Sequence, residues 1–168
     1  MTLIELLVVL AILGTVLGAL TTVFVNMSSG ETDLDNHFQA QLQASLALDK
    51  LRSDVRCASA ATPVGAASSI TLTLPSSCSG GGGQVSWCTV GSGSSYALYR
   101  KAGSSCDSSG TLVASSLVNS NVFTYTAPVS GTSLGELQVD LQVNVNPAKT
   151  VTLFELKDTI VLLNTTRT

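Results

Sequence analysis

The chain begins with an almost uninterrupted run of apolar side chains. No charged residue occurs from residue 6 to residue 30, and Glu5 is the only charged side chain before Glu31. A helix of about 25 residues is roughly 37 Å long, which is enough to cross a hydrocarbon core of about 30 Å. The pattern therefore predicts a hydrophobic transmembrane or polymerisation helix over residues 1–30. Burial of the Glu5 carboxylate in lipid is costly unless it has a partner.

The next stretch, about residues 31–57, has the periodicity of an amphipathic helix and begins after a weak interruption at residues 26–30. At about 100° per residue its apolar side chains fall on two stripes. The inner stripe is Ala44, Leu48, Leu51 and Val55, and the outer stripe is Leu34, Phe38, Leu42 and Leu46. Either the inner stripe packs on a sheet of the same chain and the outer stripe on a neighbouring helix, or both form one broad core face.

The remainder of the chain predicts short strands separated by turns. The clearest is residues 137–145, where Leu and Val alternate with polar side chains. The other predicted strands are residues 70–74, 84–90, 96–100, 112–117, 122–125, 151–156 and 159–163. Residues 58–69 indicate a connector, and residues 80–83 and 91–94 indicate turns. Short connections favour antiparallel pairing, so we expect an α+β fold in which residues 31–168 form a globular head.

Composition and charge narrow the class of protein. The chain has 168 residues, which suits one domain plus the amino-terminal helix. Only 11% of residues are charged and the net charge is −3, which indicates a weakly charged surface. The abundance of Val, Leu, Thr and Ser indicates a folded, β-rich head. Apart from the pair Arg100 and Lys101, the sequence contains no basic cluster, so we expect no nucleic-acid binding.

The charges that flank the apolar run predict its orientation. Glu31, Asp33 and Asp35 follow it, and no Lys or Arg occurs before Lys50. Positive charge marks the cytoplasmic side of a membrane segment, so the head is expected outside the cytoplasm. No basic leader precedes the run, as expected of a chain written in its mature form.

The four cysteines indicate the same compartment, because an even number in an exported domain favours disulfides. Of the three possible connectivities we expect Cys57–Cys78 and Cys88–Cys106. The first would tie the helix end to the sheet, and the second would clip the hairpin of residues 84–100. His37 is the only histidine and no Cys-x-x-Cys spacing occurs, so we expect no metal site.

The sequence offers little that is typical of catalysis. Residues 80–83 lack the Lys-Ser/Thr of a phosphate-binding loop, and no Ser, His and Asp stand in a catalytic arrangement. We therefore expect no cofactor and no enzymatic activity. His37 is expected to be solvated or interfacial, Asp54 and Arg56 are candidates for ion pairs at the helix end, and Asn164 begins an N-glycosylation pattern.

Residues 2–14, TLIELLVVLAILG, resemble the amino terminus of mature type IV pilins and type II secretion pseudopilins. The resemblance rests on a glutamate at position five, framed by Thr-Leu-Ile and a long aliphatic run, and it covers about the first thirty residues. Met1 stands where the family usually has Phe, so it is either the processed terminus or an initiator. Thr22 stands where many major pilins have Pro.

The resemblance implies a role for two residues in assembly, Met1 and Glu5. In pilin-like filaments the amino-terminal helices form a central bundle, where the α-amino group of Met1 would neutralise Glu5 of a neighbouring subunit. A terminal amine has a pKa of about 7.7–8.0 and is largely cationic at neutral pH. The family also implies an inner-membrane stage, a prepilin peptidase, N-methylation, an assembly machinery, and a homopolymer exposed as a surface filament.

Three alternatives remain at this point. Residues 48–56 resemble the helix end of minor pilins, so the chain is alternatively a filament primer, a tip subunit or a secretion pseudopilin. It is also consistent with a membrane-anchored extracellular binding domain that does not polymerise. In the simplest case, the apolar run is a signal anchor with Glu5 at the membrane interface.

Overall fold

The computed structural model describes residues 2–78, 82–130, 132–146 and 153–165. Within them the chain forms one helix and nine strands, and it divides into two compact units, Met1–Asn36 and His37–Thr168. The elements are α1 Leu3–Cys57, β1 Ala60–Thr62, β2 Gly65–Ala67, β3 Ser69–Leu74, β4 Gly83–Ser92, β5 Ser95–Ala102, β6 Thr111–Leu117, β7 Phe123–Thr126, β8 Glu136–Asn144 and β9 Leu153–Val161. The fold is α+β, as predicted.

Helix α1 runs through the segment where a weak interruption was expected, so that prediction is wrong. The Ser29 hydroxyl donates to the Asn26 carbonyl oxygen and the Thr32 hydroxyl donates to that of Ser28. These side chains are satisfied within the helix and do not draw the backbone out of it. A single Gly30 costs only about 1 kcal/mol, which a long helix tolerates.

The second unit is built on one antiparallel sheet with the order β1-β3-β4-β5-β6-β8-β7-β2, and β9 pairs with β8. Strand β8 is central, because it pairs with β6, β7 and β9. Its predicted alternation is confirmed as far as Val143: Leu137, Val139, Leu141 and Val143 are buried, whereas the intervening Gln138 is exposed. At the end of the predicted strand the alternation fails, because Asn144 is buried and Val145 lies beyond β8. The sheet thus has one face that forms a core and one polar face.

The predicted strands at β3, β4, β5, β6, β7 and β8 are confirmed within a few residues at their ends. Two expectations are wrong. The supposed connector at residues 58–69 contains β1 and β2, because its small residues pair with β3 and β7 through the backbone. The two strands expected after residue 150 are the single strand β9. Residues 80 and 81 of the expected glycine turn, and residues 147–152, with the expected stop at Pro147, lie outside the described residues, whereas Gly83 of that turn begins β4.

Strand β9 includes the charged residues Lys157 and Asp158, which lie between the two strands expected there. Lys157 lies on the polar face, where its ammonium is 2.5 Å from Glu155 and 3.6 Å from Asp140. The neighbouring Asp158 accepts a hydrogen bond from Arg52 of helix α1. Lys157 and Asp158 therefore each have a partner of opposite charge, and strand β9 continues through both residues.

The hairpin of β4 and β5 turns at Gly93 and Ser94, within the predicted turn. Gly93 has a φ of 63°, in the left-handed region that favours glycine. A Cβ atom at Gly91 would clash with the carbonyl oxygen of Ser95 across the hairpin. This close approach of two backbones explains why the turn is rich in glycine.

The inner stripe of helix α1 is buried against the sheet, and the outer stripe is exposed. Ala44 and Leu51 are fully buried, whereas Phe38 and Leu46 are 62% and 60% exposed. The alternative of one broad core face is therefore wrong. The inner stripe joins a core whose largest members include Trp87, Phe123, Leu72, Leu98, Leu137 and Leu141. Alanines on the helix allow it to approach the sheet closely.

A buried ion pair fixes the helix to the middle of the sheet. Asp54 is 8% exposed and accepts hydrogen bonds from Trp87 Nε1 at 3.0 Å and Arg100 Nε at 2.7 Å. Arg100 Nη2 donates to the other carboxylate oxygen at 3.2 Å. The expectation of an ion pair at Asp54 is confirmed. Arg56 has no ion pair within the described part of the chain.

Two disulfides, Cys57–Cys78 and Cys88–Cys106, link these elements, with Cα–Cα distances of 6.0 and 5.8 Å. This is the pairing expected from the sequence. The first joins the end of α1 to the segment after β3, and the second joins β4 to the segment after β5. Each contributes roughly 3 kcal/mol in the chain-entropy model.

The buried ion pair predicts a specific stability loss. In Asp54→Ala, the buried Trp87 and the Arg100 guanidinium, whose side chain is 25% exposed, both lose their acceptor. We expect the free energy of unfolding to fall by about 3 kcal/mol, the low end for a broken buried pair. Fluorescence of Trp87, the single tryptophan, during urea unfolding measures this directly.

Asp49→Ala is the matched control for this experiment. Asp49 pairs with Arg52, but its side chain is 70% exposed, so we expect a change of at most about 1 kcal/mol. Equal losses of stability in the two variants would show that the Asp54 pair does not hold the helix to the sheet.

Candidate functional site

The candidate site is the apolar surface of the first unit. The large apolar side chains from Leu3 to Met27 are each between 51% and 83% exposed. Helix α1 is long and apolar enough to cross a membrane, and the most apolar part of it is not buried at all within the chain. Such a surface is unstable in water, because burial of each Leu or Val side chain contributes about 1.5–3 kcal/mol.

Glu5 caps the beginning of this helix. The backbone N–H of Thr2 donates to Glu5 Oε2 at 2.8 Å, and the backbone N–H of Glu5 donates to the Thr2 carbonyl oxygen at 3.1 Å. Thr2 is thus the N-cap residue, and Glu5, three positions later, returns to it as in a capping box. A carboxylate in the first turn also interacts favourably with the helix dipole.

The pairing of Met1 with Glu5 stays a prediction, because Met1 lies outside the described residues. Within the described residues Glu5 has no basic partner, and its side chain is exposed. One carboxylate oxygen holds the Thr2 N–H. The arrangement presents a negative charge at the end of an apolar helix.

The polar side chains inside the apolar run are satisfied by the helix itself. The hydroxyls of Thr15, Thr21 and Thr22 donate to carbonyl oxygens three or four positions earlier, at 2.7–2.9 Å. They therefore require no water or external partner, as a segment in hydrocarbon demands. The helix is continuous through all three threonines.

Gly14 and Gly18 create a small-residue face on the same helix. They stand four residues apart, and a Cβ atom at either position would meet nothing within 4 Å. Small residues at this spacing allow another helix to approach closely. In the single chain the helix is continuous through both glycines.

In the second unit, a groove lies beside the end of α1. A cavity of about 650 Å³ is lined by Asp49, Arg52, Ser53, Arg56, Cys57, Leu163 and Asn164. A second cavity of about 420 Å³ shares Arg52, Arg56 and Leu163 with the first. The hydrogen bond to Asp158 raises the pKa of Arg52 above its usual value. The groove is thus lined by two arginines and by the carboxylates Asp49 and Asp158.

The other residues singled out from the sequence have local roles. His37 is exposed, and its ring meets the edge of Phe154 with centroids 5.8 Å apart. Asn164 Nδ2 donates to the Cys57 carbonyl oxygen at 2.9 Å and so caps the end of α1, while Thr166 of its glycosylation pattern lies outside the described residues. No group of three or more metal-ligating side chains occurs among the described residues.

Sequence reasoning missed two features. The Thr-x-x-Glu pattern of residues 2–5 is a capping-box signature that was available in the sequence. The groove could not be predicted from the sequence, because residues far apart in the chain form it. Leu163 and Asn164 follow β9, whereas the arginines lie on α1.

Comparisons of this chain with models of protein families, with curated proteins and with solved structures find no match.

Proposed function

We propose that the chain is the structural subunit of a type IV pilus-like helical surface filament. It is held in a membrane by its first helix before assembly, and it polymerises when the same helix moves from lipid into a bundle of sister helices. The observation that carries the proposal is the wholly exposed apolar surface from Leu3 to Met27 in a chain whose head has a complete core of its own.

Two further features support polymerisation. The outer stripe adds apolar surface on α1, with Leu42 at 49% and Phe38 at 62% exposure. Gly14 and Gly18 leave room for close helix contacts, which lipid alone does not require. Identical copies related by a head-to-tail stagger form an open helical fibre.

Glu5 has two roles in this proposal. Within its own chain it caps the first turn through the Thr2 N–H. In the filament it also attracts the α-amino group of Met1 on a neighbouring subunit, as the resemblance to pilins implies. Pairing of these charges lowers the cost of removing Glu5 from water.

A membrane-anchored extracellular domain that does not polymerise is the second candidate, since the helix is also suitable as a single span. A minor pilin or type II secretion pseudopilin is a third, favoured by the resemblance of residues 48–56. The second candidate differs from the main proposal because it forms no filament. The third differs because it is a low-abundance subunit, whereas only a major subunit forms filaments from one protein.

The dual role of Glu5 predicts different effects for two substitutions. Glu5→Ala removes both the cap and the charge, whereas Glu5→Gln keeps an acceptor for the Thr2 N–H and removes only the charge. If charge pairing is required, both variants are exported and folded, and both assemble poorly. The measurement is the amount of filament sheared from cells, relative to the amount of subunit in the membrane.

Two results would contradict charge pairing at Glu5. Wild-type filament yield in Glu5→Ala would show that the residue is dispensable. Full assembly of Glu5→Gln together with failure of Glu5→Ala would assign the whole effect to capping of the helix.

Removal of residues 1–28 tests whether the apolar segment drives assembly. The buried core begins at Ala40, so the remaining chain keeps it. We expect a soluble, monomeric head with both disulfides intact and no filaments. Size-exclusion chromatography with non-reducing peptide mapping checks this outcome, and filaments of native diameter from the shortened chain would refute the proposal.

A further inference from the structure

We propose that the free edge of strand β9 pairs with β9 of a second copy of the chain, antiparallel and centred on Leu156. This contact joins the heads of neighbouring filaments side by side. It goes beyond the proposed function, in which copies associate through their first helices, and it rests on that function for the alignment of many copies.

Strand β9 is a long edge of the sheet. Among the described residues it pairs with β8 alone, over nine residues from Leu153 to Val161. The two ends of the main strand order, β1 and β2, have three residues each. A long exposed edge strand is a template for pairing with another chain, and proteins commonly keep such edges short. Strand β9 is therefore the edge that offers room for a further strand.

The direction of the backbone groups in β9 follows from its hydrogen bonds with β8. The N–H of Leu162 donates to the Gly135 carbonyl oxygen at 2.9 Å, in the register that places Ile160 opposite Leu137. Opposite residues of antiparallel strands alternate between hydrogen-bonded and non-hydrogen-bonded pairs. The even-numbered residues of β9 therefore direct their N–H and C=O groups toward β8. The odd-numbered residues, from 153 to 161, direct theirs away from it.

The edge formed by these odd-numbered residues is open to solvent. Leu153, Glu155, Lys157 and Thr159 are all exposed. The last part of the strand, from Thr159 to Val161, borders the cavity of about 420 Å³ described above. The edge thus presents a row of backbone donors and acceptors with which no described strand pairs.

The side chains along the edge favour a second β9 as the occupant. Glu155 and Lys157 lie on the polar face, and residues that face each other across an antiparallel pair share one face of the sheet. With Leu156 at the centre, Lys157 of each copy lies opposite Glu155 of the other, so that four charges alternate in sign. Registers centred on Glu155 or Lys157 place like charges opposite one another, which is destabilising.

The pairing leaves the contacts within each chain in place. The ammonium of Lys157 is 2.5 Å from Glu155 of its own chain, and a lysine has three donors, so it binds a second carboxylate as well. The hydrogen bond between the two side chains lowers the pKa of Glu155 and raises the pKa of Lys157. Both groups are therefore charged at neutral pH.

One such contact is weak, because each backbone hydrogen bond between copies replaces hydrogen bonds to water. A single head is therefore monomeric, as expected above for the chain without residues 1–28. A filament presents many copies in a regular array, and weak contacts between two such arrays add. The expected consequence is the bundling of filaments.

Crosslinking of the full-length chain tests the register. Since Leu156 directs its backbone toward β8, the two copies of Leu156 form a non-hydrogen-bonded pair with Cα atoms about 4.5 Å apart, within disulfide range. We expect oxidised filaments of Leu156→Cys to consist mainly of disulfide-linked dimers on non-reducing gels, with the bond located at residue 156 by peptide mapping. Thr159→Cys is the matched control, because its two copies lie about 20 Å apart in this register and are expected to stay unlinked.

Charge reversal tests what holds the two edges together. Glu155→Lys and Lys157→Glu each place like charges opposite one another, so we expect each to lower the amount of filament that sediments at low speed, as bundles, about tenfold. The double variant restores alternating charges within and between copies and is expected to recover bundling. Total filament, collected at high speed, is expected to be unchanged in all three variants.

Several outcomes would overturn the pairing of the β9 edges. Equal crosslinking of Leu156→Cys and Thr159→Cys would exclude the register, and normal bundling of both single charge variants would exclude the contact. Filaments that form normally but neither bundle nor crosslink at residue 156 would refute this inference alone. Absence of any filament would refute the proposed function; the pairing then stands if membrane-bound copies crosslink at residue 156, and falls if they do not.

Discussion

Helix α1 carries two apolar surfaces, which differ in whether other residues of the chain cover them. On its inner stripe, Ala44, Leu48 and Leu51 are removed from water by the sheet of the same chain. From Leu3 to Met27 the described residues provide no such cover, although the surface is more apolar. Since the hydrophobic effect scales with apolar area left in water, this segment requires lipid or other helices. The requirement for an external partner is the physical basis of the proposed polymerisation.

Among the described residues, the core of the head contains no side chain of the first unit. This core is closed by the inner stripe and by alternating residues of β8, and polar contacts then fix the helix in place. Asp54 holds it to β4 and β5, and the Gln43 side chain accepts hydrogen bonds from Ser115 of β6. The Cys57–Cys78 disulfide secures its end. The head thus has a packed core and cross-links of its own.

The sequence was sufficient to predict features that depend on a local pattern of residues. It was insufficient to predict features that depend on partners distant in the chain. Alternation at residues 137–145 predicted β8, and the two stripes of α1 were visible from periodicity alone. Strands β1 and β2 were missed because small residues carry no hydrophobic pattern and pair only through backbones that β3 and β7 supply. The two ends of α1 differ in the same way. At the first end, the capping box of Thr2 and Glu5 is a local pattern. At the other end, the groove at Arg56 depends on Leu163, which is distant in the chain.

Polymerisation through the first segment is tested by negative-stain electron microscopy of a sheared cell-surface fraction, combined with intact-mass identification of its main protein. We expect helical filaments made of this chain, with the head exposed and the segment from Leu3 to Met27 protected from protease. A chain found only as a monomer in the membrane fraction, with no filament that contains it, would rule out polymerisation.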